Sequence, residues 1–260
     1  MRNAKSCNMQ TPLHLAASNG HPKCVHLIMD SGADRDSKDD SGFTPLHHAC
    51  YQGHLPCVHQ LLESSRPAEL HSKDSNGSTP LHRAGERGWV CVVQYLLGRG
   101  GLLDARDSYG FSPLHIAAWH GRVECLRAMV GEGADIESPN NWGLKPLHRA
   151  AENGQMSTLV ELLDMGARRE ARNHYGTTPL HSAASYGRLE CITELLRRGS
   201  NIEAKDETDF TPLHFAAFNG RIDAVKLLLR KGAVKDAKDK FGRTPLRLAN
   251  VRCQKDCELE

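Results

Sequence analysis

Two kinds of apolar block alternate along the chain. A short block such as Leu213, Ala216 and Ala217 ends at a glycine; the longer one after it places Ile222, Val225, Leu228 and Leu229 at helical spacing. The pattern predicts a short helix, a tight turn and a second helix. Thr211 is suited to cap the first helix and Pro212 to open it, where a missing N–H costs nothing. Gly220 ends it with a turn at positive φ, Gly232 stops the second helix, and Asp236 to Gly242 reads as a hairpin leading onward.

The unit repeats. TPLH or a near copy begins at Thr11, Thr44, Thr79, Ser112, Lys145, Thr178, Thr211 and Thr244, every 33 residues except for 35 between Thr44 and Thr79. A fixed period of this length defines a repeat array, in which no copy buries its apolar face alone and stability comes from stacking. With the alanine-rich stretch, the glycine nine residues after the Thr and the Gly-Ala pair, the chain strongly resembles the ankyrin repeat family, with seven full repeats and the opening of an eighth. The resemblance implies an all-α solenoid of helix-turn-helix repeats joined by short β-hairpin loops, read as one domain over residues 1–260. It also implies that His14, His47, His82, His115, His148, His181 and His214 bind backbone groups between repeats, and that partners contact the hairpin tips and the concave face of the first helices.

Composition narrows the chemistry. A formal net charge of +2 gives no broad electrostatic case for nucleic acid or an anionic membrane, and the longest apolar stretches, such as Cys91 to Leu97, are far too short to span one. The expectation is a cytoplasmic protein, with the nucleus also compatible, and a monomeric array. Cys24, Cys57, Cys125 and Cys191 share one place in the second helix, where stacked neighbours stand roughly 8 to 10 Å apart, too far for disulfides. They read as small buried hydrophobes. The CVH motifs at Cys24–His26 and Cys57–His59 invite a metal, but residues two apart on a helix diverge, so Cys is expected inward and His outward. No phosphate loop, GxSxG elbow or HExxH helix occurs; no catalytic residue, metal or cofactor is assigned.

Function is sought where the copies differ. The variable columns lie three and one residues before each TPLH motif and seven and eight after its first residue. They hold Phe43, Tyr51, Tyr109, Phe111, Trp119, Trp142, Tyr175, Tyr186, Phe210, Phe218 and Phe241, leaving only Trp89, Tyr95 and Phe215 elsewhere. Aromatic side chains on an exposed face are common anchors of protein interfaces. The candidate partner-binding residues are Tyr51, Glu86, Arg87, Tyr109, Phe111, Trp119, His120, Trp142, Glu152, Tyr175, Tyr186 and Phe218. A peptide groove is expected around Trp119 and Trp142, where two tryptophans and a carboxylate suit a Lys or Arg side chain. The hairpin rings Phe43, Phe111, Phe210 and Phe241 read first as packing on neighbouring hairpins. The charged columns, such as Lys38, Lys73, Arg106, Arg172, Lys205 and Lys238, read as solvated.

Three breaks stand out. Ser64 to Leu70 carries two extra residues and is expected to form an irregular loop; Gly85 replaces an alanine and should weaken its helix by about 1 kcal/mol; and Asp209 replaces a tip glycine, which is expected to alter that turn. Met9 likewise stands at a tip glycine's place. Toward the end of the chain, Arg247, Asn250, Arg252, Lys255, Asp256 and Glu258 would supply a polar terminal face. A piece of a longer protein fits equally well. The reading is a non-catalytic protein-interaction module or scaffold presenting a concave aromatic groove to a protein or peptide. A small-ligand or nucleotide sensor using stacked aromatics, or a regulatory segment of a larger enzyme or channel, are the alternatives.

Overall fold

A computed structural model describes residues 5–63 and 67–249 of the chain. They fall into two compact units, one up to Asp135 and one from Ile136. In the first, short leading helices Pro12–Ser18, Pro45–Gln52, Pro80–Arg87 and Pro113–Trp119 alternate with trailing helices Pro22–Asp30, Leu55–Glu63, Val90–Gly98 and Val123–Gly131. In the second, Pro146–Asn153, Pro179–Tyr186 and Pro212–Phe218 alternate with Met156–Asp164, Leu189–Arg197 and Ile222–Arg230. No strand occurs among the described residues. The connections keep hairpin pairing all the same: the Asp39 N–H donates to Phe43 O at 3.0 Å and the Asp74 N–H to Ser78 O at 3.0 Å.

The leading helix starts where the sequence says because one histidine ties three things together. His82 Nδ1 accepts the Thr79 N–H at 3.1 Å, and Nε2 donates to Phe111 O in the next repeat at 3.0 Å. His14, His47, His148, His181 and His214 reach Phe43, Ser78, Thr177, Phe210 and Arg243 carbonyls in the same way. Each ring thus caps its own helix and links to its neighbour, as the resemblance implies.

A second inter-repeat link starts just after the leading helix. The residue following the glycine carries a side-chain N–H that donates to a carbonyl in the last turn of the previous leading helix. These bonds are His54 to Ser18 (3.1 Å), Trp89 to Tyr51 (2.9 Å) and Arg122 to Glu86 (3.0 Å), then Arg188 to Glu152 (2.9 Å) and Arg221 to Ser185 (3.1 Å). Carbonyls at a helix end have no partner within the helix, so these donors satisfy them. The charged columns also differ from the solvated reading. Lys38 Nζ donates to Lys73 O at 2.6 Å and Lys73 Nζ to Arg106 O at 2.7 Å, while Glu170 and Glu203 accept the Asn201 and Val234 N–H groups at 2.9 and 2.8 Å. They are ladders that zip successive loops together.

Several expectations change. Pro67–Leu70 is a helical turn, with Leu70 buried, rather than irregular loop, and Ser64 to Arg66 lie outside the described residues. Cys57, Cys125 and Cys191 are buried, but Cys24 is exposed, since no described element covers it as the first repeat covers Cys57. In the third repeat Cys91 is exposed and Val92 takes the inward place. Asp209 and Met9 adopt φ of 64° and 59°, so the left-handed turn survives without glycine. At Gly85 a methyl group would stand 3.0 Å from Met129 Cε, which fills the space an alanine would take. Asn250, Arg252, Cys253, Lys255, Asp256, Cys257 and Glu258 lie outside the described residues.

Candidate protein-binding groove

In the first unit, two rings of the variable columns, Phe43 and Tyr51, are covered by the chain's own cations. The Arg87 guanidinium lies 4.9 Å from the Tyr51 ring centre and Arg83 lies 4.9 Å from that of Phe43, with the two rings 6.3 Å apart. Arg83 is held from the other side by Asp74 Oδ2 at 2.7 Å and Glu86 Oε2 at 2.7 Å. The Asp74 side chain is fully buried. Three of the expected residues, Tyr51, Glu86 and Arg87, therefore belong to one internally paired cluster.

The expected cluster around the tryptophans divides between the units: Tyr109, Phe111, Trp119 and His120 belong to the first, Trp142 and Glu152 to the second. Tyr109 and Trp142 are exposed and Trp119 and His120 half-buried. Two members need correction. Phe111 is buried, its ring 5.6 Å from that of His115, because the hairpin folds it onto the following helix. Glu152 is only 7 % exposed and is ion-paired with Arg149; burial raises its pKa above the usual carboxylate value against the pull of that arginine.

In the second unit the turns and leading helices enclose a groove of about 420 Å³. Tyr175 comes from a turn tip and Tyr186 from the end of a leading helix; they remain 58 % and 45 % exposed. Ser182, Ser185, Glu152, Asp206 and Glu207 line the same groove. Phe215 forms part of the wall and is wedged 5.7 Å from Phe210 and 5.3 Å from His181. Phe218 is also exposed, beside a separate apolar hollow that includes Ile222, Leu229 and Leu246.

Trp89, outside the variable columns, is structural: besides its bond to Tyr51, its ring lies against Gly53. In the second CVH motif His59 stacks on Tyr95 at 4.0 Å while Cys57 points inward. Burial pushes the Cys57 and Cys125 thiols up to about 11, leaving them un-ionised. Among the described residues no group of three or more His, Cys, Asp or Glu could hold a metal ion, and no helix is long and apolar enough to cross a membrane.

A family model for ankyrin repeats in three copies matches residues 1–74, 65–140, 124–206 and 198–258, together nearly the whole length. The chain belongs to the ankyrin repeat family. Comparison with curated proteins gave no match. Ankyrin repeats are generally protein–protein interaction modules and typically non-catalytic. Within this ankyrin chain, the second-unit groove is where exposed aromatic rings and hydrogen-bonding side chains meet around an open space.

Proposed function

We propose that this ankyrin repeat chain is a non-catalytic protein-interaction module whose partner, a protein or peptide segment, docks on the face formed by turn tips and leading helices. The observation that carries the reading is the pairing of Tyr175 and Tyr186, large exposed rings that line one groove. Burying such rings gains much apolar area at little rotamer cost, which is why interface energy concentrates on them. Tyr109, Trp119, His120, Trp142 and Phe218 lie in the same columns and are candidates for further contacts.

The test is affinity capture from cell lysate with mass spectrometry, comparing the wild-type chain with a Tyr175→Ala, Tyr186→Ala double variant whose melting curve is unchanged. Loss of an anchor of this kind weakens binding by about 2 kcal/mol, roughly thirtyfold. Proteins retained by wild type and lost from the variant support the groove; undiminished capture by the variant overturns it.

A further inference from the structure

Among the described residues, the turn aspartates Asp39 and Asp74 carry a cation that Asp206 lacks. Oδ1 of Asp39, Asp74 and Asp206 caps the turn by accepting N–H groups two and four residues on. For Asp39 and Asp74 the other oxygen is taken by the residue nine positions later: His48 reaches Asp39 Oδ2 at 2.8 Å and Arg83 reaches Asp74 Oδ2 at 2.7 Å; at Asp239 it is taken by Arg243 at 2.7 Å, and nine positions after Asp107 stands Ile116. Nine positions after Asp206 stands Phe215. Among the described residues no cation pairs with Asp206 or with its neighbour Glu207, and both line the groove beside Tyr175 and Tyr186.

Arg83 shows what such a place accepts. Its guanidinium sits between two carboxylates and the face of Phe43, using charge-assisted hydrogen bonds and cation–π attraction together. Resting on the docking reading above, we propose that the second-unit groove takes an arginine side chain from an extended segment of the partner. Its guanidinium lies against the Asp206 and Glu207 carboxylates and the tyrosine rings, in the role that Arg83 plays within the first unit. A planar guanidinium fits this better than an ammonium, since it stacks on a ring while its edge donates to a carboxylate.

The test uses the full chain, immobilised, and four pools of eight-residue peptides randomised except for a central arginine, lysine, citrulline or norleucine. Citrulline keeps the shape of arginine and removes its charge. The expected result is retention of the arginine pool over the citrulline pool by about tenfold or more, with lysine between them. Asp206→Asn with Glu207→Gln should bring that ratio close to one. The turn survives this change, because Asn140 and Asn173 cap their turns through the same oxygen. Phe215→Arg, which supplies the missing cation from within, should likewise abolish retention of the arginine pool. Equal retention of the arginine and citrulline pools, retention of no pool, or a ratio untouched by the double carboxylate variant overturns the proposal. Partners captured from lysate and lost with the tyrosine variant would still stand in that case, so the two failures are distinguishable.

Discussion

A methyl group on Gly53 would stand 2.4 Å from Cδ2 of Trp89, the indole that also donates to Tyr51 O. Gly53 lies at φ 81°, so the backbone and the neighbouring repeat both call for glycine there. The same double demand recurs where Arg122 lies on Gly88 and Arg188 on Gly154. At Gly220, φ 64°, no described residue lies within 4 Å.

This difference gives a graded prediction. Against the described residues Gly220→Ala incurs the left-handed backbone strain alone, about 1 kcal/mol. Gly53→Ala incurs that strain and must also displace the indole and its hydrogen bond, for about 2–3 kcal/mol. Urea unfolding of the two variants checks the order; equal losses would show that the Trp89 contact carries no weight.

Thr158 occupies the trailing-helix place that Cys57, Cys125 and Cys191 hold elsewhere. It is fully buried and, among the described residues, its hydroxyl has no hydrogen-bond partner. An unmet buried hydroxyl costs about 1–3 kcal/mol, and valine has the same shape without it. Thr158→Val should therefore stabilise the chain by about 1 kcal/mol or more, read as a higher denaturation midpoint at unchanged slope.

What could be read from the sequence is what one repeat determines within itself. Thr211, Pro212 and Gly220 bracket a helix through local backbone chemistry, and the histidine role is implied by the resemblance to the ankyrin family. What escaped depends on the residue the neighbouring repeat brings up. Cys24 and Cys57 sit in identical local patterns, yet only Cys57 is covered. Phe111 and Tyr109 share one hairpin, and only the tyrosine stays open. A signal for the second inter-repeat link was present: His54, Trp89, Arg122, Arg188 and Arg221 differ in size and charge but all carry a side-chain N–H just after the glycine. Grouped by donor capacity rather than by residue type, they form a column. The groove escaped for the same reason, because the absence of a cation beside Asp206 has meaning only once Arg83 is seen beside Asp74.

Arg83 should matter to stability out of proportion to its exposure. Removing it leaves the fully buried Asp74 carboxylate without its cation. Stripping one partner from a buried pair is far more costly than replacing both. Arg83→Met is expected to lose about 2 kcal/mol or more, and adding Asp74→Asn should recover part of it, since asparagine caps the equivalent turns at Asn140 and Asn173. A double-mutant cycle by chemical denaturation measures the coupling; strictly additive losses would refute it.

Acid should unfold the chain through its linking histidines. Burial lowers the pKa of His47, His82, His148 and His181 to about 4 from an ordinary value of 6.5. The geometry explains why a second proton is resisted: Nε2 already donates to a carbonyl, and Nδ1 faces the N–H of the capping residue, which a protonated ring could no longer accept. Because the folded value lies below the unfolded one, the unfolded chain binds protons first as pH falls. Stability is then fully present above about 6.5 and drains away between there and about 4. Of the carboxylates held low, Asp39 and Asp239 act only below their ordinary value of 3.8, and Glu194, drawn down to about 2 by Arg197 and Arg198, acts below 4.5 and so only at the lower edge of this window. For a chain this long, each kcal/mol lost lowers Tm by about 2–4 °C, and four histidines acting together should lower it by about 10 °C or more between pH 7 and pH 4.5. Thermal melts across that range, at constant ionic strength, decide the matter: a Tm that stays level until pH 4 would place the acid sensitivity in the carboxylates instead.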